Sequence, residues 1–287
     1  MSDAFRRIAV LAHPQVQDGL ARGEQVARFL NQQGVETLVG LLSDPEVRRP
    51  VAEGKVDLCI ALGGDGTMLR AGHLCGPAQV PILGVNLGRF GFLIEVNWEE
   101  WQPALERLLA GEYWAEQRLM LTTTLHRQGD PLLKWQVVNE VVVSRGRLVR
   151  PVRLAAYVDD ILLARYAVDG LIAATPTGST AYALAAGGPI LPPTLRNILL
   201  VPVAPHLSVD RAVVLDEGSV VRLVPDVEHQ AVLSVDGQTP VDLEPGDEIV
   251  VQCSEHSLVF IRVRGRDYFY RNITTYMNWN PTLGGRP

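Results

Sequence analysis

Hydrophobic and polar positions follow two different rhythms along this chain. In the first third, short apolar runs alternate with segments of helical period. Ile8–Ala12 is a continuous apolar run. After it come residues 19–33, where Leu20, Val26, Phe29 and Leu30 are spaced for one helix face and Gly34 stands as the stop. Val35–Leu41 reads as a strand, and Asp57–Leu62 and Pro81–Val85 read as further short buried strands. Asn97–Leu109 predicts a helix, with Asn97 as its cap, Glu100 three residues on and Gly111 beyond its end. Strands alternating with helices argue for a mostly parallel sheet covered by helices.

The rhythm changes after about Tyr113. Arg118–His126, Trp135–Ser144, Arg153–Val158 and Ile161–Val168 are runs rich in β-branched and aliphatic residues, with Asp159-Asp160 as a tight turn between the last two. Ile198–Val203, Val213–Leu215, Ser219–Leu223, Ala231–Val235, Glu248–Cys253 and Ser257–Val263 continue the pattern, and one helix near Ser179–Ala186 interrupts it. This half is expected to be mainly β, a sandwich. The stretch from Arg266 is rich in aromatics and asparagine, without a clear period. The expected organisation is an α/β domain over 1–113, a β-rich domain over 114–265, and a tail, 266–287, that packs back on the first.

Composition narrows the function classes. The 287 residues are 47% hydrophobic and 20% charged, an ordinary globular balance. No window reaches a membrane-spanning length, and Met1–Arg7 lacks the apolar core of a signal peptide, so the chain reads as cytoplasmic. A net charge of −6 does not suit a nucleic-acid partner. Lysine occurs only at Lys55 and Lys134, neither in a Gly-x-x-x-x-Gly-Lys phosphate loop. Any phosphate must then be bound by backbone amides, arginines or a metal. The three cysteines are scattered, and the six histidines show no ligand spacing.

The chemistry concentrates in a few motifs. Gly63-Gly64-Asp65-Gly66-Thr67 follows an apolar strand and opens a helix. Glycines at such a switch make a concavity of amides, and the helix start adds positive potential. A carboxylate there repels phosphate unless it holds a bridging cation or accepts a proton from an attacking hydroxyl. The combination suggests phosphoryl transfer to an alcohol; a plain turn with an aspartate cap is the bland alternative. A second cluster, Thr175-Pro176-Thr177-Gly178-Ser179-Thr180, again places hydroxyls and a glycine before a helix, with Ser179 as candidate cap and Tyr182 able to stack on a ring. Asn139-Glu140 sits within an apolar strand, where neighbours point to opposite faces, so one would face solvent and the other would need a buried partner. An amide beside a carboxylate suits the vicinal hydroxyls of a ribose.

Together these motifs resemble the NAD kinases, which phosphorylate the adenosine ribose 2′-hydroxyl of NAD. The resemblance rests on GGDGT at 63–67, Gly88-Arg89-Phe90-Gly91-Phe92-Leu93, Asn139-Glu140, Asp169-Gly170, TPTGSTAY at 175–182, Gly187-Gly188-Pro189, Pro205-His206 and Asp236-Gly237-Gln238. They come in family order and span most of the chain. GGDGT alone is shared with lipid and sugar kinases. The resemblance implies an α/β N-terminal domain and a β-rich C-terminal one. It implies Asp65 as base or orienter of the 2′-hydroxyl, and Gly63, Gly64 and Thr67 facing the donor phosphates. It implies NAD contacts from Asp65, Gly66, Arg70, Phe92, Asn139, Glu140, Arg150, Asp169, Thr180, Ala181, Tyr182, Ala183, Leu184, Ala185 and Gln238. ATP would be the donor, with polyphosphate an open alternative, and Mg²⁺ or another divalent metal would bridge its phosphates. The partners would be NAD, ATP and further copies of the chain, as a dimer or tetramer, with neither nucleic acid nor membrane. The chain departs from the family pattern at Ala185, where a serine is common, at Ala212, where a proline is, and at Ala167, where a basic residue is. A lipid or sugar kinase and a non-catalytic NADP(H) sensor are the rival readings.

Overall fold

In the computed structural model the described residues are 5–88, 91–146, 150–206, 209–226 and 230–278. Arg89, Phe90 and Trp279 lie outside them, as does the side chain of Tyr276. The chain divides into two compact units, one of residues up to Gln117 together with those from Leu258, the other Arg118–Ser257.

In the first unit the chain runs β1 (Arg7–Ala12), α1 (Gly19–Gln32), β2 (Glu36–Leu41), α2 (Pro45–Ala52), β3 (Leu58–Gly63), α3 (Asp65–Ala78), β4 (Ile82–Asn86), β5 (Val96–Asn97) and α4 (Trp101–Leu109). The strands lie in the order β2-β1-β3-β4, all parallel, with β5 also parallel to β4. Ile8, Val10, Leu58, Ile60, Leu62, Leu83 and Val85 form a core with Val26 and Leu30 of α1 and Leu105 and Leu108 of α4. Strands buried on both faces read as unbroken apolar runs, which is why this sheet was legible. The buried stripe of α1 is Gly19, Gly23, Val26, Ala27 and Leu30; Leu20, expected on it, is exposed in the first turn. Asn97 caps nothing with its side chain: it belongs to β5, and a short 3-10 turn over Trp98–Glu100 precedes α4.

The second unit is antiparallel. Its elements are β6 (Trp114–Arg127, entering from the first unit), β7 (Asp130–Val137), β8 (Glu140–Arg145), β9 (Val152–Val158), β10 (Ile161–Val168), β11 (Gly170–Ala174), α5 (Tyr182–Ala185), β12 (Asn197–Val203), β13 (Val213–Asp216), β14 (Val221–Asp226), β15 (Ala231–Val235), β16 (Val241–Asp242) and β17 (Glu248–Arg262, returning to the first unit). One sheet has the order β13-β12-β11-β8-β15-β16. The other places β10, β9, β14 and the start of β17 side by side. Val141, Val143, Leu171 and Leu200 of the first meet Leu154, Ala156, Leu223 and Val251 of the second in one core. The opposite face of the six-stranded sheet, Val142, Ile172 and Leu199, is covered by Ala183 and Leu191. Asp159 and Asp160 make the expected turn, both with positive φ (50° and 63°), the type I′ geometry whose twist suits a hairpin.

Three expectations here are corrected. The run 135–144 is two strands, broken at Val138-Asn139. The runs 248–253 and 257–263 are one strand, because pairing carries the backbone through the polar Ser254-Glu255-His256. The helix near 179–186 shrinks to a 3-10 turn, Gly178–Thr180, and the single turn of α5. Finally, the period-free tail forms a helix, α6 (Tyr268–Asn278), in which Tyr268 and Phe269 are buried and Tyr270 is exposed.

Candidate active site

The GGDGT segment is a strand-to-helix switch. Gly63 ends β3, Gly64 caps α3, and Asp65 is the first helical residue. The Gly64 N–H donates to the Thr67 hydroxyl (3.3 Å), and Thr67 is buried, so its side chain closes the turn. A Cβ on Gly63 would meet that hydroxyl at 2.0 Å, whereas Gly64 and Gly66 face open space. Glycine is thus required at 63 for packing, and at 64 and 66 it leaves backbone uncovered. The Asp65 carboxylate accepts the Phe92 N–H at Oδ2 (2.8 Å) and the Leu93 N–H at Oδ1 (3.1 Å). A Cβ on Gly91 would lie 2.3–2.5 Å from the carboxylate, so the loop presses its backbone directly against Asp65. Phe92 is buried. Arg70 is exposed on α3, with Nη1 2.6 Å from Nε2 of His13 at the end of β1. Partial burial, and then the Arg70 charge, lower the His13 pKa.

In the second unit the Asn139-Glu140 pair differs from expectation. Both side chains are buried, each 8% exposed: Asn139 lies in the break between strands and Glu140 opens β8. Asp236 organises the break. It opens a type I′ turn, with Asp236 at φ 46°, Gly237 at φ 68° and the Gln238 N–H donating to the Val235 carbonyl (2.8 Å). Its carboxylate accepts three consecutive backbone amides, from Val138 (2.7 Å), Asn139 (2.8 Å) and Glu140 (2.8 Å). From the other side the Thr175 hydroxyl donates to the Val138 carbonyl (2.6 Å), and the Thr175 N–H to the Asn139 carbonyl (2.8 Å). A Cβ on Gly178 would sit 2.2 Å from that same Asn139 oxygen. With its backbone satisfied, the pair presents two buried acceptors, Asn139 Oδ1 and Glu140 Oε2, that have no partner among the described residues. Burial, and then the charge of Asp236, push the Glu140 carboxyl up to about 8. Buried acceptors without donors are uncommon, and a hydroxyl-bearing ligand is one group that would complete them.

The hydroxyl-rich turn is also corrected. Thr175 accepts the Gly178 N–H (3.0 Å), Ser179 donates to the Pro176 carbonyl (2.7 Å) and accepts the Leu191 N–H (3.0 Å), Thr180 donates to the Thr177 carbonyl (3.2 Å), and Thr177 accepts from Arg118 (3.3 Å). These hydroxyls hold the turn together, and Ser179 caps no helix. The four-residue α5 offers no N-terminal field of consequence. Along it Tyr182 and Ala185 are exposed, Ala183 is buried, and Thr180, Ala181 and Leu184 are half-buried. Asp169 is paired with Arg145 (3.3 Å) and lies 3.9 Å from His206 Nε2. Gln238 and Arg150 are exposed. A cavity of about 510 Å³ opens beside β9, β10 and β14, lined by Arg153, Tyr157, Arg165, His206 and Asp226 among others, including Ala167, where the family commonly has a basic residue.

Comparison with known proteins decides the family. Residues 44–113 match the model of the ATP-NAD kinase N-terminal domain, and residues 138–263 that of the ATP-NAD kinase C-terminal domain. The chain is 41% identical over 270 residues to the NAD kinase of Chloroflexus aurantiacus, covering 94% of this chain and 97% of that protein. The chain belongs to the ATP-NAD kinase family. The NAD kinase of Geotalea daltonii is 36% identical over 282 residues, 96% of this chain and 99% of that one. Among solved structures, yeast NADH kinase complexed with NADH superimposes with a TM-score of 0.83 at 25% identity, covering 97% of this chain and 89% of that one. The Archaeoglobus fulgidus NAD kinase in complex with ATP gives 0.77 at 25% identity, covering 96% and 100%.

Within this family frame, two residues outside the sequence-predicted site stand out. Asp236 was quoted in a motif, yet Gln238 alone was given a role there. Thr175 belongs to the hydroxyl-rich segment before α5 and has no role among the residues the resemblance implies. Both hold the backbone that presents Asn139 and Glu140. The Asp-Gly turn signal was visible, but the use of its carboxylate on amides up to 98 residues away was not.

Proposed function

We propose that the protein transfers the γ-phosphoryl group of ATP to the adenosine ribose 2′-hydroxyl of NAD. The 2′-O–H bond breaks, a 2′-O–P bond forms, and the bond from the γ-phosphorus to the β-γ bridging oxygen breaks to release ADP. Asp65 orients the 2′-hydroxyl and takes up its proton. The observation that carries this reading is the fixed carboxylate of Asp65 at a glycine-rich strand-to-helix switch, in a chain of this family. Gly64, whose Cα faces open space, leaves room for the donor phosphates beside Gly63, and Thr67 shapes that turn. Asn139 and Glu140 accept hydroxyls of a ribose. Gly66, Arg70, Phe92, Arg150, Asp169, the 180–185 segment and Gln238 supply further NAD contacts.

Among the described residues no cluster of three metal-ligating side chains exists. A resident cage therefore does not fit, and a divalent cation would come to the site on the ATP phosphates, where it would neutralise charge. Among the described residues no helix is long and apolar enough to cross a membrane. Free cysteines at 59, 75 and 253 suit a reducing compartment, which supports a cytoplasmic setting. Ile161, Leu162 and Leu163 expose apolar surface on the edge strand β10, which supports assembly with further copies.

The test is NADP formation from NAD, ATP and Mg²⁺, with Asp65→Asn alongside. The variant is expected to lose turnover by about 10²–10⁴-fold while keeping NAD binding. Unchanged turnover would remove Asp65 from the reaction.

A further inference from the structure

Arg262 is among the largest side chains that are fully buried, at 1% exposure. A buried guanidinium is costly unless every donor is matched, and apolar residues of similar volume often serve stability better. Here each nitrogen is matched. Nε donates to Glu116 Oε2 (2.8 Å), Nη2 to the Tyr268 hydroxyl (2.9 Å), and Nη1 to the carbonyl of Leu93 (2.9 Å). The Tyr268 hydroxyl lies 2.7 Å from the other Glu116 oxygen, closing the ring of bonds.

The Leu93 bond gives this cluster a direction. Leu93 is the residue whose N–H donates to Asp65 Oδ1. It is therefore pinned on both sides, by Asp65 through its N–H and by Arg262 through its C=O. Two residues on, Glu95 Oε1 accepts the Val263 N–H (2.6 Å), so the loop is tied a second time to the strand that carries Arg262. The Gly91 backbone, against the Asp65 carboxylate, completes the seat. A shift of the Leu93 backbone would release Oδ1 of Asp65 and leave the carboxylate held by the Phe92 N–H alone.

We propose that Arg262 is a positioning residue for phosphoryl transfer, acting through the Leu93 peptide to fix the Asp65 carboxylate. This rests on the role given above to Asp65. The test is the double variant Arg262→Met/Glu116→Leu, which removes both charges of the pair and leaves the nearby buried Glu95 held by the backbone amides of Val263 and Arg264. Its kcat per folded molecule is expected to fall about 10- to 100-fold, the scale of a misplaced reacting group. KM for NAD and ATP should stay within about threefold, because ground-state binding is not the target. Tm should stay within roughly 5 °C. A folded double variant with wild-type kcat would overturn the proposal. So would a loss confined to Tm and folded fraction, which is what a merely structural arginine would give. If the double variant itself does not fold, Arg262→Lys is measured in its place by the same criteria. Asp65→Asn, run in parallel, separates the two readings. If it keeps full turnover, the role of Asp65 fails and takes this inference with it. If it loses turnover while the Arg262 variant keeps it, only this inference fails.

Discussion

Glu140 makes the fold less stable as pH rises, the reverse of an ordinary paired carboxylate. Burial and the Asp236 charge raise its pKa from 4.5 to about 8. Between those values the folded chain holds a proton that the unfolded chain has released. Below about pH 4.5 both states are protonated and Glu140 adds no pH dependence. Within the window each pH unit removes up to ~1.4 kcal/mol. By pH 8 the accumulated loss has a ceiling of about 4 kcal/mol, and small rearrangements of the loop bring the working figure to ~2–4 kcal/mol. Glutamine has nearly the same shape and never ionises. The difference in unfolding free energy between wild type and Glu140→Gln, measured by urea denaturation from about pH 5 to about pH 8, isolates this one group. The variant should gain on the wild type by ~2–4 kcal/mol across that range, or roughly 5–10 °C in Tm. Saturating NAD should flatten the wild-type curve if its hydroxyls donate to the carboxylate. Stability curves that stay parallel from pH 5 to 8 would refute the burial argument.

Two further substitutions test the scaffold around that pair. Asp236→Asn leaves three amides facing one carbonyl and an NH₂ group, and should cost about 3 kcal/mol in urea unfolding and weaken NAD binding about tenfold by calorimetry; wild-type values for both would show that the three bonds do not hold the break. Gly178→Ala forces a Cβ to within 2.2 Å of a backbone oxygen, so the turn or the Asn139 peptide must move; about 2–4 kcal/mol of destabilisation is expected in thermal melts, and a neutral outcome would mean that the contact relaxes freely.

The parallel core of the first unit was readable because strands buried on both faces are simply apolar, and helices between them carry a period. Helix α2 was not read: its sequence, PEVRRPVA, buries only Val47 and Val51 and contains two prolines. The strand 248–262 looked like two, since pairing carries it through a polar stretch that local pattern treats as a stop. Asn139-Glu140 was legible as an oddity but misread in geometry, because nothing local marks a break that Asp236 stabilises. Contacts of this kind, one carboxylate on several main-chain amides, depend on side chain at one end only. The amide end has no residue type, so it leaves no trace in the sequence.

The same device appears in both units. Asp65 holds the amides of Phe92 and Leu93, and Asp236 those of Val138, Asn139 and Glu140. In the second unit the organising carboxylate is distinct from the groups left for a ligand. In the first unit one residue would have to do both. That is feasible, since a carboxylate oxygen has two lone-pair directions and an amide uses one. It also fits the reaction. A loose phosphoryl-transfer transition state draws little on a strong base and much on alignment of the attacking oxygen. A carboxylate already fixed by the loop loses little further freedom when it accepts the hydroxyl, which is the kind of preorganisation that lowers a barrier. On that argument the bonds from Phe92 and Leu93 would not compete with the role proposed for Asp65; they would make its single orientation available to the substrate.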